Sequence, residues 1–261
     1  MRTPSFPRLI GTVLALLSLS LVITLPTAAR AAEKPATASP PAAQYQALTQ
    51  EFQKAQEDFS KVYQTAKTDE ERRKIMVTYP QPQKYAGRFL ELAQKTPKDP
   101  VAVDALVWLV GHVRFGAETE KAMSILLKDH LQSEKLVPVC QVLASSPSPQ
   151  AEQQLREIIT KNPHPGVQGQ AIFNLAKVFQ GQPGKAKQAE DYFEQVIKNF
   201  ADLEGNYGTL AAQARTALFE IRTLGIGRPA PEIEGQDVEG KAFKLSEYRG
   251  KVVLIDFWGD W

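Results

Sequence analysis

Arg249-Gly-Lys-Val-Val-Leu-Ile-Asp-Phe-Trp-Gly-Asp-Trp261 joins a continuous apolar run to a tail of aromatic and acidic residues. Val252, Val253, Leu254 and Ile255 are β-branched or aliphatic with no polar alternation, the pattern of a strand covered on both faces of a parallel sheet. Such a strand needs neighbours. Upstream, Gly240 supplies a turn between two short extended pieces, and Phe243 and Leu245 alternate with Lys241 and Lys244 as on a half-buried strand. With so little sheet in reach, residues 252–258 are expected to lack partners for their backbone groups and to dock poorly.

The string Lys251-Val-Val-Leu-Ile-Asp-Phe-Trp258 with Gly259-Asp260-Trp261 resembles the thioredoxin-like family, specifically its exported TlpA-type branch of thiol-disulfide oxidoreductases, also described as redoxin or AhpC/TSA-like. Gly227-Arg-Pro-Ala-Pro-Glu-Ile-Glu-Gly235, Asp237-Val-Glu-Gly240, Phe243, Leu245-Ser246 and Tyr248-Arg-Gly-Lys251 look like that family's N-terminal hairpin and short helical turn. The resemblance covers residues 226–261. It implies a Cys-x-x-Cys redox pair directly after the final Trp, so the 261 residues are expected to stop just short of the chemistry. It also implies that Asp256 relays a proton beneath the disulfide and that Trp258 and Trp261 wall the site. No cofactor is implied, and the partners would be thiols and disulfides of proteins or small molecules. By its position alone, Asp256 can equally sit at a solvated strand end. Peroxiredoxins are a more distant relative, because their Pro-x-x-x-Thr-x-x-Cys context is absent.

The rest of the chain sets the bounds. With 43% hydrophobic and 23% charged residues, 261 residues allow one to three globular domains. A formal net charge of +2 and the lack of like-charge blocks argue against a nucleic-acid partner. Arg2 and Arg8 precede an apolar run over residues 9–25, and Thr27-Ala-Ala-Arg-Ala-Ala32 offers an Ala-x-Ala cleavage site ending at Ala31. Residues 1–31 thus read as an export signal, with an uncleaved membrane anchor as the alternative. Either places the mature chain in the periplasm or cell envelope. Residues 32–43, rich in Pro and Ala, read as an extended tether.

From Tyr45 the apolar residues Leu48, Phe52, Ala55, Phe59, Val62 and Ala66 recur at steps of three and four, one stripe of a long helix that either docks on the body or forms a coiled coil. Thr68 and Glu71 make a capping-box signature for a second helix, closed by Pro80 and Pro82. Beyond it a weak repeat appears. Counting from Tyr85, Glu118, Ala151 and Ala189, apolar residues fall at plus four, seven and eight, with spacings of 33, 33 and 38. Each copy is followed by a second apolar helix, over 101–115, 133–143, 167–179 and 209–224. Helix pairs with a period near 34 are what a tetratricopeptide-like solenoid shows, although its Trp-Leu-Gly-Tyr consensus is missing, and generic helical packing stays open. A partner-binding concave face would be its functional form, but no residue identifies one.

Other candidate chemistry reads as structure. Cys140 lies in the apolar run Leu136-Val-Pro-Val-Cys-Gln-Val-Leu143 with no second cysteine, as a buried thiol or, alternatively, a resolving thiol for a partner disulfide. His112, His130 and His164 are too scattered for a metal site. Gly181-Gln-Pro-Gly-Lys185 lacks the spacer and the hydroxyl residue of a phosphate loop, and Glu70-Glu-Arg-Arg-Lys74 is a solvated face. The expected architecture is mainly α: a helical bundle or α-solenoid over 44–225, then the start of an α/β thioredoxin-like domain over 226–261. The expected function is that of an exported thiol-disulfide oxidoreductase whose redox cysteines lie outside these residues. The alternative is a helical interaction or scaffold protein with an inactive redoxin-like tail.

Overall fold

In the computed structural model the described residues are 39–256, apart from 206 and 226. The expected export signal over residues 1–31, Trp258 and Trp261 lie outside them. The class is mainly α, as the sequence predicts. Ten α-helices follow in order among the described residues: α1 (Pro41–Thr65), α2 (Asp69–Met76), α3 (Gln83–Lys95), α4 (Pro100–His112), α5 (Ala117–Asp129), α6 (Val137–Ser145), α7 (Pro149–Lys161), α8 (Pro165–Gln180), α9 (Ala186–Asn199) and α10 (Leu210–Thr223). A two-residue hairpin of β1 (Glu204–Gly205) and β2 (Gly208–Thr209) separates α9 from α10. A second antiparallel hairpin, β3 (Glu234–Gln236) and β4 (Ala242–Lys244), follows α10.

The helix starts are written in the side chains. Asp99, Ser148 and Thr209 accept hydrogen bonds from the backbone N–H of Val101, Ala151 and Ala212, and α4, α7 and α8 carry a proline in their first turn. Thr68 and Glu71 form the reciprocal capping box at α2. The N–H groups of Lys67 and Thr68 hold the Glu71 carboxyl below the usual carboxylate range. The tether expected over 32–43 gives way earlier than its composition suggests, since Pro41, Ala42 and Ala43 already belong to α1. Proline suits a first helical turn and alanine is the best helix former, so the composition is as compatible with a helix start as with a linker.

Successive helices pack on one another from α3 to α5 and from α6 to α10, while α4, α6, α8 and α10 also lie side by side as an inner row. The repeat offsets mark what faces that row. Phe89, Ala122, Leu155 and Phe193, each at plus four, are fully buried. The outer helices α3 and α9 bury one stripe, whereas α8 buries eleven of its 16 residues because α6, α7, α9 and α10 cover it. One close approach needs a glycine. A Cβ at Gly169 would lie 2.6 Å from Leu203 Cδ1 and 3.0 Å from the Phe200 ring, which sit directly on α8.

α1 docks on the body. Leu48 and Phe52 are buried, Phe52 meets Trp108 edge-on at 5.3 Å, and Tyr45 meets Phe89 at 5.9 Å. The coiled-coil alternative is not needed to cover that half of the stripe.

Candidate functional site

Of the residues that carry the family resemblance, those between α10 and residue 256 form a hairpin followed by a short turn. Glu234, Gly235 and Gln236 pair with Lys244, Phe243 and Ala242. The Phe243 ring lies across Gly235, where a Cβ would come within 3.2 Å of it, so a side chain there would require the ring to shift by a few tenths of an ångström. Asp237 Oδ1 closes the turn by accepting the N–H of Glu239 at 3.0 Å and of Lys241 at 2.9 Å, and Gly240 takes φ 80°. A 3-10 turn, Leu245–Tyr248, continues from β4. Its register is fixed by Leu245 N–H donating to the Ile233 carbonyl at 2.9 Å and by Ser246 N–H donating to Glu232 at 2.9 Å. Hydrogen bonding to the side chain and then the N–H of Ser246 holds the Glu232 carboxyl below its usual range.

The apolar run over residues 252–255 behaves differently from a sheet strand. Residues 252–256 make no ladder among the described residues; Val252 and Leu254 are 103% and 93% exposed, and Val253 and Ile255 are each 44% exposed. The physical reason is the one its composition gives. A strand made to be covered on both faces finds here only a two-stranded hairpin, which is already paired to itself. Asp256 is exposed at the end of this run. Trp258 and Trp261 lie outside the described residues.

Cys140 is buried and free on α6. Burial pushes its thiol from its ordinary value of 9.0 up to about 12, so at neutral pH it is neither a nucleophile nor a resolving thiol. The sign of the linkage follows. Below pH 9 both folded and unfolded chains keep this proton; between pH 9 and about 12 the unfolded thiol releases it and the folded one does not, so stability falls as pH rises. Wild type should therefore lose stability more steeply than Cys140→Val across that window, by about 1 kcal/mol per pH unit. Urea titrations at pH 8, 9.5 and 10.5 check it, and parallel curves for the two proteins would refute it.

His112 and the 181–185 segment take structural places. His112 Nδ1 lies 2.8 Å from the Trp108 carbonyl and its ring stacks on that indole. No group of three metal-binding side chains occurs among the described residues. Residues 181–185 form the turn between α8 and α9, and Lys185 bonds Glu152 at 3.4 Å and lies over the Phe179 ring.

Comparison with known proteins adds a chemical direction. Over 42 residues, 16% of this chain and 24% of the relative, the sequence is 40% identical to thiol-disulfide oxidoreductase ResA of Geobacillus thermodenitrificans, and to the same extent to that of Geobacillus kaustophilus. Over 38 residues, 15% of this chain and 22% of the relative, it is 44% identical to ResA of Bacillus cereus. The likeness is to thiol-disulfide oxidoreductases. The chain spans about a quarter of the length of the curated relatives it matches. No family model and no solved structure matches it. The likeness supports a thioredoxin-like relationship over a short stretch.

Proposed function

We propose that this chain belongs to an exported thiol-disulfide oxidoreductase in which residues 44–225 form a helical domain and residues 226–261 open a thioredoxin-like domain. The observation that carries the reading is the identity to ResA over about forty residues, a length close to that of the segment with the family's motifs. The hairpin and 3-10 turn formed by those motifs are in keeping with it. The 261 residues hold one cysteine, the buried Cys140, so this reading requires a redox pair supplied by further sequence after Trp261.

The chemistry is a balanced exchange. A thiolate at a helix N-terminus attacks one sulfur of a substrate disulfide; that S–S bond breaks as a mixed disulfide forms, and the departing thiolate takes a proton. The second thiol, losing its proton, attacks the mixed disulfide. The substrate ends as two thiols and the protein pair as a disulfide. Asp256, placed inside the completed sheet, would accept and return the proton of the resolving thiol, with Trp258 and Trp261 beside the pair.

The test is insulin reduction by the product of the whole natural reading frame, by the 261-residue chain, and by whole-frame Asp256→Asn. The whole product should reduce insulin and the 261-residue chain should not. Asp256→Asn should slow the reaction about ten-fold or more and move its pH profile. Equal rates with and without the continuation overturn the redox reading, and an unchanged Asp256→Asn profile removes only the relay. A whole product that reduces no disulfide would favour the interaction-scaffold reading instead.

A further inference from the structure

Past Phe52 no residue of α1 is buried, and α2, which packs mainly on α1, buries none of its eight residues. The rings of this corner cover one another: Phe59 stacks on Tyr63 at 5.7 Å and meets Tyr79 edge-on at 5.1 Å. The capping box fixes where α2 starts, but a helix this short draws its stability from packing, so an α2 with no buried residue is short of a surface.

What that surface has to match is written on the outer face of α2. Asp69, Glu70, Arg73, Met76 and Val77 lie one helical turn after another and share this face, while Ile75 is half-buried on the opposite one. Met76 is 50% exposed and Val77 84%, and Val62, in the last turn of α1, is 52% exposed. Residues 57–79 carry five acidic and five basic side chains, so the corner has no net charge to attract a polyanion or an anionic lipid surface. Along α2 the signs are segregated, with Asp69, Glu70 and Glu71 before Arg72, Arg73 and Lys74. Acid before base suits the helix dipole as well, but the dipole does not explain an apolar pair on the same face. A helix with acid at one end and base at the other complements itself when turned end for end. A two-fold axis beside residues 71 and 72 sets Glu70 of each copy against Arg73 of the other and brings Met76 and Val77 over the other copy's α1–α2 corner. Glu70 bonds Lys74 of its own chain at 2.7 Å, and a carboxylate has room for a second cation. We propose that the outer face of α2 is a self-association surface, on which a second copy of this chain packs its own α2 antiparallel about a two-fold axis. The assignment is independent of the redox reading, because every residue in it belongs to the helical body.

Sedimentation equilibrium of the 261-residue chain should show monomer and dimer in exchange. Glu70→Lys and Arg73→Glu, both at exposed positions, should each weaken the dimer about ten-fold or more, because each sets like charges together on both sides of the axis. An equimolar mixture of the two variants should regain the wild-type affinity, since each altered side chain then meets its opposite and the second pair is left as it was. Restoration on mixing cannot come from chains that merely fold less well. Leu254→Lys, in the exposed run near the end of the chain, should leave the dimer unchanged. A monomeric wild type, a dimer indifferent to both charge reversals, a mixture no tighter than its two components, or loss of the dimer in Leu254→Lys would overturn the assignment.

Discussion

Trp108→Ala should destabilise the helical body by about 3–5 kcal/mol and loosen α1 from it. The indole is stacked between Phe89, with ring centres 3.8 Å apart, and His112, at 4.4 Å. Phe52 meets it edge-on at 5.3 Å and Tyr85 at 6.4 Å. One side chain on α4 therefore touches rings from α1 and α3 as well as its own helix, and truncation leaves a cavity that three helices border. Aromatic contacts of this kind add to the area they bury, so Trp108→Phe should cost only about half as much. Urea unfolding gives both values. A loss under 1 kcal/mol for the alanine variant would mean that α1 is held by something other than these rings.

Asn162→Leu should cost about 3 kcal/mol, for a different reason. Asn162 is 1% exposed, and its Nδ2 donates to the carbonyls of Leu131 at 2.8 Å and Ser133 at 2.9 Å, while its Oδ1 accepts the His164 N–H at 2.9 Å. It fastens the loop after α5 to the start of α8, and leucine fills the space while stranding all three partners. Asn174→Leu, at a buried amide with an unpaired Nδ2, should instead raise stability by about 1 kcal/mol. The two substitutions are chemically identical, so opposite signs in the same unfolding assay would isolate hydrogen bonding from hydrophobicity. The same sign for both would contradict this account.

These two asparagines also mark what the sequence could tell and what it could not. Helix positions were legible because they rest on local chemistry: the capping box at Thr68 and Glu71, the prolines after Asp99 and Ser148, and the apolar offsets after Tyr85, Glu118, Ala151 and Ala189 all fall where helices start or bury a face. The hairpin around Gly240 was legible for the same reason. The pairing of buried amides was not. Gln170 and Asn174 lie four residues apart among the buried positions of α8, a signal present in the sequence, but whether such amides are paired depends on α6 and α10, which no local pattern places beside α8. Residues 252–256 show the converse. Their composition specifies a covered strand, and the hydrogen-bonded neighbours that would cover it are not supplied by the hairpin before it.

The most direct test of the central claim is intact-mass spectrometry of the natural product, isolated from the cell envelope and alkylated under native conditions before and after reduction. The account predicts a mature N-terminus at Ala32, sequence extending past Trp261, and a gain of two alkyl groups on reduction, both located in Cys-x-x-Cys, with Cys140 unmodified until the protein is unfolded. A product that gains no alkyl group on reduction, or one in which Cys140 is the thiol that reacts, would contradict it.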